Sequence, residues 1–348
     1  MALCTDWQGP AWCLIFRQLE RQRADQTLKQ LSTTCRFLFE RYVDYVAYQA
    51  ERLVADENLM PVLHEIVRRE SMHVGTTTII LPTTQLTIYS FHHLATLHAF
   101  WLQGLRFSLL QVLSLGYYDQ SFSFSFTAIE ESTPYFTSGL FHCGSLLSLN
   151  IRAQRLDAPL LSAVSLLLAP NQQLRALSLS ACDSLLEEDS FSSSSSSSLS
   201  PLFMETLAML GGSLQHLTLH CGRMSGRALD LLAQPLSKLT LLHSLDLSNN
   251  ALSDAAAAVF CTRILPCLPH LRVLRFCYNN VGRLVWQALE HACESPIFLK
   301  LELLDLSYNN NGRHYPYHRN DILDTTRHSA LQQIPQLLLT SSCYYQPE

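Results

Sequence analysis

Two histidines in one short apolar segment are the first residues of this chain whose chemistry needs an explanation. His216 and His220 lie four residues apart, with Cys221 beside the second. On a strand, four residues span about 13 Å, which is too far for two imidazoles to share one zinc ion at about 2 Å each. The chain also has no Gly-rich phosphate loop, His-Glu-x-x-His, Cys-x-x-Cys or nucleophile elbow. The sequence therefore predicts neither a metal centre nor catalysis, and function has to come from surface contacts.

The elements that position these residues follow one repeated pattern. Seven segments carry an apolar residue, a second one three residues on and a third five residues on. They begin at Leu110, Leu146, Leu174, Leu214, Leu242, Leu271 and Leu301. Because the second and third residues are two apart, both face the same side of a strand, which predicts seven strands with one buried face. A recurring period of this size indicates an array of one supersecondary unit.

The residue eight positions after each start is predicted to lie in a tight turn. Asn250, Asn279 and Asn309 take this position in the last three segments, where an Asn side chain can satisfy backbone groups that the turn leaves unpaired. The stretches between strands are rich in Leu and Ala and carry helix-start signals, such as Asp157 with Pro159, Ser225, and Ser253. Each unit therefore reads as strand, turn and helix.

This unit resembles the leucine-rich repeat of the ribonuclease-inhibitor class, over roughly residues 110–342. The resemblance implies an α/β solenoid with parallel strands on the concave side and helices on the convex side. A bundle of Leu-rich helices is the alternative, and the Asn-Asn pairs that recur after apolar segments weigh against it. In this family the side chains at plus two, plus four and plus six face the concavity. The partner-binding candidates that the resemblance implies there are Asn150, Arg152, His216, His220, Asp246, Arg275 and Asp305.

Residues 1–54 differ in kind, with helical stretches predicted at 12–19, 28–38 and 39–53. The patterns Ile-Phe-x-x-Leu and Leu-x-x-Leu-Ser-x-x-Cys-Arg within them resemble an F-box, the module that attaches substrate receptors to the Skp adaptor of cullin-RING ubiquitin ligases. The adaptor-binding residues that this resemblance implies are Pro10, Leu14, Ile15, Phe16, Leu19, Leu28, Leu31, Cys35 and Arg36. Two alternatives stay open: the helices only cap the first repeat, or they form an elongin-type adaptor box.

Two further segments complete the predicted organisation. Residues 55–109 are interpreted as a linker and N-terminal capping region, and residues 187–200 as an insert within the repeats. This insert contains three consecutive acidic residues and an uninterrupted serine run, 192–198. Such a tract cannot bury apolar area, so a disordered loop is expected. It is either a neutral insertion or a phosphorylation-dependent contact.

Composition excludes several classes of partner. The 348 residues carry a net charge of −5 without a long Lys or Arg run, which argues against nucleic acid. No run of 18 apolar residues exists, so no membrane span is expected. The first residues lack a basic region and include Asp6, which makes a poor secretory signal. The eleven scattered cysteines are expected to be reduced thiols. An intracellular protein, cytoplasmic or nuclear, is expected, without a cofactor.

The resemblances together imply a substrate-recognition subunit of an SCF-type ubiquitin ligase. Its repeats would bind a protein substrate, and its N-terminal helices would bind the Skp-type adaptor and cullin, or an elongin-type adaptor. The alternative is a non-catalytic leucine-rich scaffold or inhibitor with a helical cap. A weaker third hypothesis is a GTPase-activating relative, for which Arg152 and Arg155 are the only nearby candidate catalytic arginines.

Overall fold

The computed structural model describes residues 36–55, 58–72, 78–88, 91–116, 144–153, 156, 158–181, 200–220, 224, 226–292, 301–309 and 334–338. The chain divides into two compact units. Unit 1 comprises Met1–Phe124 with Glu131–Leu147, and unit 2 comprises Ser125–Glu130 with Ser148–Glu348.

Unit 1 alternates helices with short parallel strands. Its described helices are α1 (Arg36–Tyr48), α2 (Leu59–Ser71) and α3 (Phe91–Leu102), and its strands are β1 (Arg52–Ala55), β2 (Ile79–Ile80), β3 (Gln85–Ile88), β4 (Leu105–Arg106) and β5 (Val112–Leu115). Strands β1, β3 and β5 pair side by side in parallel, and β2 pairs with β4 in a separate two-stranded sheet. Strands therefore occur within both predicted N-terminal segments.

The spacing of buried residues in unit 1 is the same as in the predicted repeats. Ala50 and Thr83 are fully buried at the starting position of β1 and β3, where the other repeats have Leu. The Thr83 hydroxyl donates to the Ala50 carbonyl at 3.2 Å, which satisfies a polar group in the core. The predicted helix over 39–53 is wrong beyond Tyr48, because Arg52–Ala55 is a strand that alternates half-buried and buried residues.

Unit 2 repeats strand and helix in regular order. Its strands are β6 (Ser148–Ala153), β7 (Ala176–Ala181), β8 (His216–His220), β9 (Ser244–Asp246), β10 (Val273–Arg275), β11 (Leu303–Asp305) and β12 (Gln336–Leu338). Its described helices are α4 (Ala158–Leu168), α5 (Pro201–Met209), α6 (Gly226–Ser237), α7 (Asp254–Arg263) and α8 (Arg283–Ala292). All seven strands are parallel, and each pairs with the next in chain order.

The predicted repeat pattern is confirmed by the core. All seven predicted segments form strands, and their three spaced apolar residues are each at most 5% exposed. Within unit 2, the described strand β12 was not predicted from the sequence. Its segment has the same spacing, starting from the buried Ile334 with Leu337 three residues on. Leu337 pairs with Leu304 of β11. The predicted helix start at Ser253 is also confirmed, since its hydroxyl accepts from the Ala256 amide at 3.3 Å.

Three asparagines close the turns after β9, β10 and β11, as predicted. The side-chain amide of Asn279 donates to the carbonyls of Leu247 and Phe276 at 2.9 and 3.0 Å, and its oxygen accepts from the Leu252 amide at 3.2 Å. Asn250 and Asn309 make equivalent bonds to carbonyls of their own and of the preceding repeat. Each of these repeats is therefore joined to its predecessor by polar contacts beneath the strand ends.

Asp254 joins neighbouring repeats on the helical side. Its carboxylate, at the start of α7, accepts from the backbone amides of Gly282, Leu284 and Val285 at 2.8 to 3.0 Å. The Leu284 and Val285 amides lie in the first turn of α8, and the Gly282 amide directly precedes it, where backbone donors have no partner within the helix. The carboxylate also adds favourable charge at that helix end. A side chain at position 282 would lie 3.1 Å from Asp254 Oδ2, so glycine gives the carboxylate room to approach.

Candidate functional site

The strand register of unit 2 arranges the predicted face residues in rows. One row runs across six strands through directly paired residues: Asn150, Ser178, Thr218, Asp246, Arg275 and Asp305. A second row contains Arg152, Ser180 and His220, and His216 lies in a third row beside Ala176 and Ser244. All seven candidates lie at half-buried or exposed positions that alternate with buried ones.

Asp246 is the centre of a polar cluster on this face. Its Oδ1 lies 3.0 Å from His220 Nε2, and its Oδ2 lies 3.9 Å from Arg275 Nη1. The Ser248 amide also donates to Oδ1 at 3.0 Å. His220 Nε2 is close to the carboxylate but makes no aligned hydrogen bond. Strands β8, β9 and β10 thus each contribute one ionisable side chain to a single cluster.

Partial burial and hydrogen bonding act in opposite directions on Asp246. Only 13% of its side chain is exposed, and this burial alone would raise the pKa of the carboxyl group. The neighbouring His220 and Ser248 more than offset the burial, so the pKa of Asp246 is held below its usual value. The carboxylate is therefore ionised and fixed in position at neutral pH.

Asp305 has a different environment from Asp246. Its Oδ1 accepts from the Ser307 amide at 3.0 Å. Within the described part of the chain, no Lys, Arg or His nitrogen lies within 4.0 Å of its carboxylate. This carboxylate is half-buried on the outward face, beside Arg275 on the paired strand.

Cys277 is a face residue that the sequence analysis did not select. Its thiol lies 2.9 Å from the Ser248 hydroxyl. Partial burial first, and then the carboxylates of Asp305 and Asp246, raise the pKa of this thiol. The thiol is therefore neutral. In the paired row beside it, the carboxylates of Asp246 and Asp305 flank the one guanidinium of Arg275, so these three groups carry a net charge of −1.

Histidines gather at the other end of these strands. The rings of His243 and His270 stack with centroids 6.1 Å apart. Partial burial, together with the nearby His243, lowers the pKa of His216. In the described residues, no group of three or more His, Cys, Asp or Glu side chains is placed to hold a metal ion.

Two tyrosines form a stacked pair just beyond the strand ends. Tyr278 and Tyr308 immediately precede the turn asparagines, and their rings are 4.5 Å apart and 11° from parallel. Both have left-handed backbone conformations, with φ of 55° and 57°, which costs a residue of this kind about 1 to 2 kcal/mol. Stacking of the two rings offsets about 0.5 to 1.5 kcal/mol of this backbone cost. Tyr278 is nevertheless 55% exposed.

The predicted adaptor-binding residues cannot be placed in the same way. Pro10, Leu14, Ile15, Phe16, Leu19, Leu28, Leu31 and Cys35 lie outside the described residues, as do Arg155 and positions 187–199 of the insert. Arg36 is the first residue of α1, and only its backbone is described. Ser200 directly precedes α5 and is buried.

Helix α1 packs tightly within unit 1. Val43, Tyr45 and Val46 are at most 3% exposed. Asp44 also pairs with Arg69 of α2 at 2.9 Å. None of the helices in the described ranges is long and apolar enough to cross a membrane.

Comparisons with known proteins give similarity at the level of solved structures. No protein-family model and no curated protein matches the chain. An internalin from Listeria monocytogenes is similar over 88% of this chain and 84% of its own, with 12% identity and a TM-score of 0.42. A Bacteroides fragilis protein is similar over 77% of this chain and 76% of its own, with 13% identity and a TM-score of 0.38.

With both TM-scores below 0.5, the class of fold rests on the geometry of this chain. Parallel strands in sequential order, spaced buried leucines, asparagine-closed turns and helical returns define a leucine-rich repeat fold.

Proposed function

We propose that this protein is a non-catalytic binding protein that holds a protein partner on the outward face of strands β8 to β11. The observation that carries the proposal is the Asp246 cluster, in which three strands each place one ionisable group at a half-buried position. A fold without a partner does not need this arrangement, because alternating polar residues at these positions would suffice.

The chemistry of the face favours a protein partner. Three neutral polar residues open the row, and acidic and basic groups then alternate from Asp246 through Arg275 to Asp305. A surface of a single charge would suit nucleic acid or lipid better, whereas mixed charges give a protein interface its register and specificity. The side chains are already ordered by contacts with each other, so less conformational entropy is lost when a partner binds.

Affinity capture with the full chain tests this proposal. Partners recovered from cell extract would be identified by mass spectrometry, and their affinity measured with purified protein. The double variant Arg275→Ala with Asp305→Ala removes two central charged groups and should weaken binding about tenfold or more. Arg263→Ala, which removes an exposed arginine from the helical side, is the matched control and should bind normally. Equal affinity of the double variant and the control would refute the assignment of the face.

We further propose that the bound partner is a substrate of an SCF-type ubiquitin ligase. The N-terminal helices would bind the Skp-type adaptor and thereby recruit cullin. The F-box-like patterns around Ile15 and Leu31 support this proposal. So does the position of α1, which begins at the end of the second pattern and is anchored by buried contacts in unit 1. Such anchoring would hold the adaptor in a fixed relation to unit 1.

Copurification distinguishes this role from the alternatives. Purification of the full chain under gentle conditions should recover a Skp-type adaptor and cullin, and recovery of an elongin-type adaptor instead would identify the other adaptor class. The double variant Ile15→Ala with Leu19→Ala should lower adaptor binding at least about tenfold with little change in the melting of the repeats. A plain scaffold with a helical cap is indicated if no adaptor is ever recovered and this variant destabilises the whole chain.

A further inference from the structure

The stacked tyrosines occupy a position that the fold fills more easily with another residue. Asn249, Tyr278 and Tyr308 follow the ends of three consecutive strands, and all have φ between 55° and 57°. Asparagine tolerates this left-handed conformation, whereas a bulky aromatic residue is an outlier there. Asn249 therefore shows that a short polar residue is sufficient for this turn. The turn itself does not require the tyrosines of the next two repeats. Backbone strain that the fold does not need indicates a functional constraint.

The geometry of the pair leaves one ring face uncovered by its stacking partner. Tyr308 covers one face of the Tyr278 ring, and the rings are nearly parallel at 4.5 Å. Because the repeats follow one another in order, the opposite face of Tyr278 is turned toward the preceding repeat. The equivalent residue there is Asn249, which is exposed and short. A flat group can thus stack on Tyr278 in line with the existing pair, with the Asn249 amide at its edge.

The surrounding charge selects the kind of group. The face of a tyrosine ring attracts cations. The carboxylates of Asp246 and Asp305 both act on Cys277, the residue directly before Tyr278, and raise the pKa of its thiol after the larger effect of burial. Together with Arg275 between them, these carboxylates carry a net charge of −1, which adds to the negative potential of the ring face. A flat cation is therefore favoured over a neutral aromatic ring or a proline.

We propose that Tyr278 is the docking platform for an arginine side chain of the protein partner, with the guanidinium stacked on its open ring face and hydrogen-bonded to the Asn249 side-chain oxygen. Guanidinium is planar and stacks on aromatic faces, whereas the compact, strongly hydrated ammonium of lysine does not match this geometry. This inference rests on the proposed function, since it specifies one side chain of the partner that the strand face binds.

A small probe tests the platform without the partner. N-acetyl-arginine amide would be titrated into the full chain carrying ring-labelled tyrosine, and the Tyr278 ring resonances would be followed by NMR. We expect these resonances to shift with saturation in the millimolar range. The citrulline analogue, which is planar but neutral, should bind about five- to thirtyfold more weakly. The lysine analogue should also bind more weakly than arginine. Equal shifts with arginine and citrulline, or no shift of Tyr278, would overturn the proposal.

Two variants separate ring chemistry from folding. Tyr278→Phe keeps the ring face and should retain at least half of the arginine affinity. The double variant Tyr278→Asn with Tyr308→Asn removes both rings, because the single change would open the Tyr308 face beside a new asparagine. It introduces the residue that already occupies this position at Asn249, so the protein should melt at the same or a higher temperature. This second variant should nevertheless lose the arginine-dependent shifts of the remaining tyrosines, and unchanged arginine binding by the folded double variant would also overturn the proposal.

The same variants distinguish this inference from the broader one. A captured partner that loses affinity with the Arg275 and Asp305 double variant but binds the Tyr278 and Tyr308 double variant normally would leave the strand face assigned and refute the arginine platform. Arginine-specific shifts at Tyr278 would support the platform. If the partner also bound the Arg275 and Asp305 double variant with unchanged affinity, the strand-face assignment would be refuted.

Discussion

Replacement of Asn279 by alanine measures how strongly one turn joins two repeats. The Asn279 side chain is 2% exposed. Its amide donates to Leu247 of the preceding repeat and to Phe276 of its own, and its oxygen accepts from Leu252. Alanine would leave the buried Leu252 amide without this acceptor. The two carbonyls would each lose one of two side-chain donors, because Leu247 also accepts from Asn250 and Phe276 from Asn309.

The expected loss follows from one stranded amide and two lost hydrogen bonds. A buried amide left without a partner costs about 1 to 3 kcal/mol and each lost hydrogen bond about 1 kcal/mol, and partial relaxation of the turn reduces the sum. We expect Asn279→Ala to lower the free energy of unfolding by about 3 kcal/mol. Asn309→Ala should cost less than Asn279→Ala, because Asn309 is half-buried and solvent can replace some of its bonds.

Urea denaturation followed by far-ultraviolet circular dichroism supplies the measurement. The matched control is Asn280→Ala, the same substitution at the exposed neighbour of Asn279, and it should change stability by no more than about 0.5 kcal/mol. If Asn279→Ala and Asn280→Ala shifted the unfolding midpoint equally, the polar contacts beneath the strand ends would not hold the repeats together, and the reasoning would be refuted.

Three other outcomes are expected. Asp254→Ala should destabilise the protein by about 2 kcal/mol, the upper end for a lost helix cap, whereas Asp254→Asn should lose less; equal melting of both variants and the parent would contradict the inter-repeat cap. Because the folded-state pKa of Asp246 is lowered, its stabilisation is present above the unfolded pKa of about 4 and is lost as the pH falls through the folded value. The stability difference between parent and Asp246→Asn should therefore shrink between pH 6 and pH 3 in urea titrations, and a constant difference would argue against it. Deletion of residues 192–198 should change stability by well under about 1 kcal/mol, and a large fall in melting temperature would show that the tract is structured.

The repeats of unit 2 could be predicted because their signals are local. A strand that buries every second residue needs spaced leucines within six positions, and a closed turn needs an asparagine at a fixed distance. The two first repeats escaped because Ala50 and Thr83 replace the leading leucine, and Thr83 is acceptable there only through its bond to the Ala50 carbonyl. That bond joins residues 33 positions apart, so no local pattern reveals it.

The candidate site could be predicted in outline only. Equal spacing of the repeats was enough to propose that Asp246, Arg275 and Asp305 share a face, but their mutual distances depend on side-chain conformations. The stacked pair had a sequence signal, since Tyr precedes Asn-Asn at 278–280 and again at 308–310. The physical meaning of that signal appears only with the left-handed backbone and the contact between rings.

The asparagine bonds and the Asp254 bonds run in opposite directions along the chain. Each turn asparagine serves the repeat before it, whereas Asp254 serves the repeat after it. The backbone polar groups of a repeat are thus satisfied partly by a side chain of the preceding repeat and partly by one of the following repeat. During synthesis, the Leu252 amide after β9 has no acceptor until Asn279 has left the ribosome, so ordering of this turn lags one repeat behind translation. In evolution, a duplication or deletion within this region keeps these inter-repeat hydrogen bonds only if it adds or removes a whole number of repeats.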